Sequence, residues 1–526
     1  MSRFKRFAHS FLSGFVQLGA NALFALASVP LAAHYLGTDE NGKAELGLWF
    51  TTSMIAGYIA LMDLGLNAAT ARILIDYKDE PERGGYGGII QTAAWVGLLQ
   101  AGIIFLIGTL AAFVVSPLLN LPAAQERQCV WLLVGLSANT ALLFATRILA
   151  NLLTANQRFD VGNYGGVLSL AANFGVLWWT FARGQGVFSL LWGQAAGLVT
   201  IVAANWIGCW RLSLFPRRGQ WGRPSWKAFR ELFVFGRDAF LIALGNQFIN
   251  ASQYLIVTRL LGLNTAAIWG VCTRTYPLFV QVITRIFDYS SSALAEMIVR
   301  GERERLLRRF RQIAVLSVNL AVAAGALIAV GNGPFVKVWM SGKFSWPAWD
   351  DLLLGVWLVT LLVVRTHCGF VGQTKAFRFM RYIYFIEGFA FVGLTVLFHR
   401  FGGGLTMMLI ASIVCSLCFT FSYGLWRTRE YFHLSWCDLA RWHRSTLALA
   451  ATVAPAAALV WWLTRHLPAL EQLVADAVLG IWIALMFLRH GLEASLRAEA
   501  HRFAPDWARP ILARMCAGNS DAQDKM

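Results

Sequence analysis

The chain has 526 residues, of which 57% are hydrophobic and 14% are charged, and its 45 Lys and Arg against 28 Asp and Glu give a formal net charge of +17. Soluble domains carry about 25% charged residues. This composition and the mean hydropathy of +0.55 exclude a soluble enzyme, a disordered chain and a nucleic-acid-binding protein built from soluble domains. We therefore expect an all-α polytopic membrane protein.

A membrane-spanning helix needs about 20 apolar residues, and about 14 windows of that length follow one another along the chain. They lie at about residues 11–33, 44–66, 89–115, 129–153, 163–182, 187–209, 234–258, 266–297, 312–331, 351–371, 382–398, 405–425, 446–464 and 471–488.

Together with an internal repeat, these windows predict two lobes of six helices and two further helices. The predicted parts are an N-lobe at 1–210, a basic cytoplasmic connector at 211–233, a C-lobe at 234–430, the last two spans within 431–488 and a cytoplasmic tail at 489–526.

The basic residues orient this topology. With the N-terminus inside, about 32 of the 45 Lys and Arg residues fall on cytoplasmic segments and about 7 on the opposite side, as the positive-inside rule requires. Both termini are therefore predicted to be cytoplasmic. Topology and attraction to anionic headgroups explain the positive charge, so we expect membrane lipids, and no nucleic acid, as partners.

An internal repeat is predicted from an offset of 225 residues. At that offset Asn21 matches Asn246, the pair Leu36-Gly37 matches Leu261-Gly262, and Asp63 matches Asp288. Doubled units of this kind are common in transporters. The repeat predicts that spans 1 to 6 and spans 7 to 12 are related.

The eighth span carries polar residues on one side. At 100° per residue, five of them share a stripe, namely Arg274, Gln281, Arg285, Asp288 and Ser292. The opposite side carries Ile283, Phe287 and Leu294. Each Arg or Asp would cost about 2.5–3.5 kcal/mol at the bilayer centre, so we expect the stripe to face protein or water. Arg285 and Asp288 are expected to form an intrahelical pair.

Polar side chains, most of them amides and hydroxyls, recur at helical spacing in three other spans. These are Gln17 and Asn21 in the first span, Arg147 and its polar neighbours in the fourth, and Asn246, Asn250 and Gln253 in the seventh. Such groups can simply hold helices together, at about 0.6–2 kcal/mol each. Their recurrence in four spans favours a shared hydrophilic cavity between the lobes.

The residue types of this predicted cavity indicate its ligand. Arginine forks suit phosphate or carboxylate, whereas amides and hydroxyls suit hydroxyl groups. An anionic, hydroxyl-rich molecule satisfies both and cannot cross a bilayer unaided. The predicted substrate-binding residues are Gln17, Asn21, Arg147, Asn246, Asn250, Gln253, Arg274, Gln281, Arg285 and Asp288.

Short motifs also resemble a known family. Tyr35-Leu36-Gly37, then Asp63-Leu64-Gly65-Leu66 with Arg72 nearby, and in the second half GNGPFVKVWMSGKF at 331–344, are similar to segments of oligosaccharide flippases. These proteins form the polysaccharide-biosynthesis branch of the MATE-like exporter superfamily. The resemblance covers most of residues 10–430 in layout.

The resemblance implies two six-helix lobes in a V shape that work by alternating access. It implies a polyprenyl-linked oligosaccharide as substrate for cell-surface polysaccharide such as O-antigen or exopolysaccharide, a bacterial inner membrane, and Arg147, Arg274 and Arg285 at the phosphate linkage. H+ or Na+ as coupling ion and other polysaccharide-assembly proteins are further expected partners. Spans 13 and 14 would shelter lipid. The candidate coupling or gating residues are Asp63, Asp238 and Glu387.

Two other functions remain open. A drug or cation antiporter of the same fold would need an acid-dominated lumen, but the acids located in spans are balanced by arginines. A membrane glycosyltransferase or polymerase would need a positioned base or a metal site, and no H-E-x-x-H, D-x-D or Cys/His cluster is present in the sequence. We therefore expect no enzymatic activity, no metal and no cofactor.

Overall fold

Long apolar runs of the sequence form helices in the computed structural model, which describes residues 3–63, 66–77, 85–374 and 377–492. No strand occurs in these ranges. The chain divides into two compact units, Met1–Val271 and Cys272–Met526. The all-α fold is confirmed. The predicted lobe boundary at 211–233 lies earlier than this division, and the predicted domain limits stay a prediction.

The helices of the first unit are α1 (Arg3–Leu36), α2 (Glu40–Ala60), α3 (Leu66–Tyr77), α4 (Gly85–Leu118), α5 (Ala123–Thr146), α6 (Ile148–Ala155), α7 (Phe159–Ala182), α8 (Phe188–Arg211), α9 (Trp226–Leu261) and α10 (Leu263–Cys272), the last residue of which falls in the second unit.

The helices of the second unit are α11 (Thr275–Arg300), α12 (Arg303–Trp339), α13 (Ala348–Gln373), α14 (Phe377–Arg400), α15 (Leu405–Ser416), α16 (Ser422–Phe432), α17 (Trp436–Trp442), α18 (Arg444–Thr464) and α19 (Ala469–Met486). A π-helical turn at Leu417–Phe421 joins α15 to α16.

Within the described ranges, 12 helical segments are long and apolar enough to cross a membrane. They coincide with all of the predicted windows except 234–258 and 266–297, which fall on α9 and on α10 with α11. The multi-pass membrane character is therefore confirmed, whereas the count of fourteen spans stays a prediction. The predicted window 129–153 is broken at Arg147, where α5 ends and α6 begins.

Hydroxyl groups and a glycine join α2 to α9 and α10 in the first unit. The side-chain oxygens of Thr51 and Thr258 lie 2.6 Å apart, as do those of Tyr58 and Ser252. A Cβ atom at Gly47 would lie 2.0 Å from the carbonyl oxygen of Leu263. Small residues allow such close backbone approach between membrane helices, so α2 packs directly against the start of α10.

The first helix of each predicted repeat is followed by a glycine, and these two glycines match at the offset of 225 residues. Gly37 follows α1 with φ +91°, and Gly262 follows α9 with φ +87°. A left-handed residue after a helix is most readily glycine, because other side chains are strained there. The shared helix ends favour the predicted duplication.

Helix α12 is central to the second unit and packs against α11, α13, α18 and α19. Phe310 of α12 is fully buried in an apolar cluster with Phe370 of α13. The two helices also approach closely at two glycines. A Cβ atom at Gly355 of α13 would lie 2.3 Å from the carbonyl oxygen of Gly325 of α12. The two backbones are therefore in contact, and no larger residue fits at this crossing.

We expect Gly355→Val to destabilise the second unit, because overpacking a filled interface costs about 1–3 kcal/mol. The midpoint of thermal unfolding, measured on purified protein in detergent, should fall. Gly393→Val on α14 is the matched control, since no atom lies within 4 Å of the added Cβ. Equal midpoints for the two variants would contradict the close crossing.

Candidate functional site

Arg147 lies at the break between α5 and α6 and is surrounded by polar partners from its own unit. Its Nη1 donates a hydrogen bond to Asp63 Oδ1, and its Nη2 donates to Gln100 Oε1. Gln100 Nε2 in turn donates to the carbonyl oxygen of Met62 at 2.7 Å. The Arg147 side chain is only 11% exposed. Both arms of the guanidinium are thus engaged by protein groups.

This arrangement differs from the expectation that groups Arg147 with the ligand-binding arginines. Asp63 also accepts a hydrogen bond from the backbone N–H of Asn67 at 3.2 Å, in the first turn of α3. The pair therefore ties α3 and the end of α2 to the α5–α6 break. Its geometry suits a structural or gating role, and direct ligand binding by Arg147 stays a prediction.

The stripe on α11 has the two sides predicted for it. Ile283, Phe287 and Leu294 are buried, with 4%, 4% and 1% exposure. Gln281 and Asp288, on the polar side, are exposed within their own unit. The amphipathic character of this helix is therefore confirmed.

The expected pair between Arg285 and Asp288 is wrong. Asp288 Oδ1 instead accepts a hydrogen bond from Nη2 of Arg365 on α13, at 3.2 Å. Arg285 Nη1 donates to the hydroxyl of Tyr289 at 3.4 Å. The ion pair thus connects two helices rather than two turns of one helix.

Arg365 was missed as a site residue. It stands alone in the sequence on an apolar helix, 77 positions from its partner. Spacing along one helix cannot reveal such a pair. The available signal was the presence of an arginine in the middle of an apolar window, since a charge placed there requires a partner.

The two ion pairs hold related positions. Asp63 and Asp288 match at the repeat offset, and each meets an arginine from the predicted span two further along the chain, Arg147 or Arg365. The environments differ. The Arg147 and Asp63 side chains are 11% and 28% exposed, whereas those of Arg365 and Asp288 are 54% and 45% exposed. The first pair is closed within its unit, and the second remains accessible.

The other predicted residues are distributed over both units. Arg274 lies at the N-cap of α11 and is half-buried. Gln253 on α9 is 4% exposed, and among the described residues no hydrogen-bond partner is found for its Nε2. The side chains of Asn246, Asn250 and Asp238 lie outside the described residues.

A polar cavity of about 460 Å³ lies within the first unit, between α1, α6, α7 and α8. Two predicted residues of the first span, Gln17 and Asn21, line it. Its other polar lining residues are Thr154, Arg158, Asn163, Ser169 and Asn205.

Arg158, at the turn before α7, is fixed by an acidic neighbour. Its Nε and Nη2 donate to Oδ1 and Oδ2 of Asp160 at 3.0 and 2.9 Å. These two hydrogen bonds raise the pKa of the Arg158 guanidinium above its usual value. Arg158 thus stays charged, and Asp160 neutralises that charge locally.

Glu387 on α14 is 1% exposed inside the second unit. Its Oε1 accepts a hydrogen bond from the Ser416 hydroxyl at 2.8 Å, and its Oε2 accepts one from the backbone N–H of Thr420 at 3.2 Å. Thr420 belongs to the π-helical turn, a structure that often marks functional positions in helices. Within the described ranges, no cationic side chain forms a salt bridge with this carboxyl group.

A second cavity, of about 360 Å³, is apolar and lies between α12, α13 and α18. Small side chains such as Ala326, Ala454 and Ala457 line it, together with Trp349 and Trp461. In the described part of the chain, no group of three or more His, Cys, Asp or Glu is arranged to hold a metal ion.

We expect the two ion pairs to differ in their contribution to stability. Removing one partner of a buried pair costs about 3–5 kcal/mol, whereas an exposed pair contributes about 0–1 kcal/mol. Asp63→Asn should therefore lower the free energy of unfolding far more than Asp288→Asn, as measured by denaturant titration in micelles. Similar losses for both variants would contradict the closed environment of the first pair.

Several solved structures share this architecture. No curated protein matches the sequence significantly. Among solved structures, the lipid II flippase MurJ in an inward closed conformation matches with a TM-score of 0.65 and 12% identity, over 91% of this chain and 98% of that chain. An inward-facing multidrug resistance MATE family transporter of the MOP superfamily matches with a TM-score of 0.61 and 17% identity, over 77% and 94%.

A MOP superfamily transporter from Pyrococcus furiosus is also similar, with a TM-score of 0.58 and 16% identity over 82% of this chain and 97% of that one. These likenesses confirm the predicted MATE-like fold. The family model described as polysaccharide biosynthesis protein matches residues 44–346, which is more than half of the chain. The chain therefore belongs to the polysaccharide biosynthesis protein family.

Proposed function

We propose that this protein is a flippase that moves a polyprenyl-(pyro)phosphate-linked oligosaccharide from the inner to the outer leaflet of a bacterial cytoplasmic membrane. The product would serve assembly of a surface polysaccharide such as O-antigen or exopolysaccharide, in association with other assembly proteins. Both termini would be cytoplasmic. Family membership supports the role in polysaccharide synthesis, and the MATE-like fold supports transport by alternating access.

The polar side of α11 is the observation that carries this proposal. Arg365 on the apolar helix α13 and Asp288 on α11 are 54% and 45% exposed, and Arg285 is half-buried on the polar side of α11. Such groups are too costly to leave in hydrocarbon, so we place them along a hydrated translocation path. Guanidinium groups bind phosphate through paired hydrogen bonds. Arg285 and Arg365 would hold the phosphate linkage, and Gln281 would hold sugar hydroxyls.

The apolar cavity between α12, α13 and α18 supports the lipid-linked nature of the substrate. Alanines and tryptophans surround this hollow, and α18, which contains the predicted span 13, forms one of its walls. An isoprenoid tail is itself apolar, so its transfer from membrane lipid to this apolar lining costs little free energy. We assign the cavity to a segment of the polyprenyl tail.

We further propose that a proton drives transport through Glu387. A buried carboxylate without a cationic partner is unfavourable, and protonation removes its charge. The other ionisable groups near it are Tyr384 of the same helix, Cys368 of α13 and Cys415 of α15. The hydroxyl groups of Ser416 and Thr420 both hydrogen-bond this carboxyl group.

We expect Arg285→Ala and Arg365→Ala to slow flipping at least tenfold, because each removes charge-assisted hydrogen bonds that contribute about 1.5–3 kcal/mol. The measurement is the transfer of a fluorescent polyprenyl-pyrophosphate saccharide across the bilayer of proteoliposomes. The accessibility of the saccharide to an added lectin reports this transfer. Arg300→Ala is the control on the same helix, since Arg300 is paired with Glu296 at the exposed helix end.

Unchanged flipping in both arginine variants would refute the assigned path. Transport of an organic cation without any saccharide transfer by the unaltered protein would instead support a drug or cation antiporter of this fold. Formation of a new glycosidic product would support an enzyme.

We expect Glu387→Gln to keep flipping down a substrate gradient but to lose its acceleration by an imposed pH gradient. Glutamine can retain hydrogen bonds with Ser416 and Thr420 but cannot exchange a proton at neutral pH. Initial rates should be measured with and without the gradient, and also with a Na+ gradient. Glu296→Gln, at an exposed position of α11, is the control. A persistent pH response in Glu387→Gln would assign coupling elsewhere.

A further inference from the structure

The polar cavity of the first unit is built around glycines of α7. At Gly162, no atom lies within 4 Å of the position that a Cβ would take. One turn further, a Cβ at Gly166 would lie 2.3 Å from Nε2 of Gln17. The first glycine therefore leaves open volume, and the second lets the Gln17 amide of α1 lie directly on α7. Larger residues at either position would fill or close the cavity.

An amide that lines this cavity has an unpaired oxygen. Asn205 on α8 is 8% exposed, and its Oδ1 has no hydrogen-bond partner among the described residues. A buried polar atom left without a partner costs about 1–3 kcal/mol. Across the cavity, Asn163 is held by a hydrogen bond from its Nδ2 to the Ser13 hydroxyl at 2.9 Å. Asn205 is nevertheless one of the lining residues of the cavity, so a rotation of its amide would bring this oxygen to a donor group of a ligand.

The charge balance of the cavity indicates an uncharged ligand. Its one basic residue, Arg158, forms two hydrogen bonds with Asp160 through Nε and Nη2, so its positive charge is already neutralised locally. The remaining polar lining consists of amides and hydroxyls, which donate and accept hydrogen bonds with hydroxyl groups. Phe159, which is 47% exposed, adds an aromatic face suited to the apolar face of a ring.

We infer that this cavity binds one or two sugar residues, as a saccharide site separate from the α11 path. The inference rests on the proposed function for the source of the sugar, namely the oligosaccharide part of the transported lipid. A volume of about 460 Å³ lies in the range of cavities that bind small molecules, about 300–1,000 Å³. Asn205, Asn163 and Gln17 bind ring hydroxyls, and Gly162 provides the space that the ring occupies.

The test uses the full chain in lipid nanodiscs and free sugars as probes. Saturation-transfer NMR should detect millimolar binding of at least one among methyl glucoside, methyl galactoside, methyl mannoside and N-acetylglucosamine. Gly162→Leu fills the open volume and should weaken that binding at least tenfold, as should Asn205→Leu. Gly175→Leu is the matched control, because it lies on the same helix, has no atom within 4 Å of its Cβ and does not line the cavity.

Binding of none of these sugars would overturn the inference, and so would equal binding by Gly162→Leu and Gly175→Leu. Displacement of a bound sugar by inorganic phosphate would also overturn it, in favour of an anion site. The flipping assay separates this inference from the proposed function. Sugar binding without flipping by the unaltered protein refutes only the flippase, whereas flipping that Gly162→Leu leaves unchanged refutes only the sugar site.

Discussion

The cost of a charge inside a membrane, about 2.5–3.5 kcal/mol at a helix centre, governs where the polar residues of this protein lie. Arg147 meets that cost by directing both arms of its guanidinium to Asp63 and Gln100. Glu387 meets it with a hydroxyl group and a backbone N–H of a π-helical turn. Each arrangement requires contact between separate helices, so the polar residues also specify which helices pack together.

Three local environments match the three parts of the proposed substrate. The accessible arginines on α11 and α13 suit the phosphate linkage, the alanine-lined hollow beside α18 suits an isoprenoid chain, and the amide-lined cavity of the first unit suits sugar rings. The apolar hollow disfavours a charged group, and a hydrocarbon tail gains nothing among amides. The three environments together support the proposal that the ligand is amphiphilic.

Hydropathy was sufficient to predict the helical membrane fold, and helical periodicity was sufficient to predict the buried side of α11, because both properties are local. The offset of 225 residues also located equivalent helix ends at Gly37 and Gly262. Pairing between helices was not predictable in this way. Arg365 and Asp288 are neighbours only because α13 packs beside α11, and the amide cavity depends on which side of α7 faces α1. Such contacts follow from packing, which no spacing within one helix encodes.

The two Asp–Arg pairs hold matching places in the predicted repeat, yet only one of them is shielded. Dissolved ions screen exposed charges over a Debye length of about 8 Å at physiological ionic strength, and they screen buried pairs much less. Electrolyte concentration should thus weaken the ion pair between α11 and α13 more than its counterpart around Arg147. Under the predicted duplication, one half of the chain would respond to its ionic surroundings more strongly than the other half.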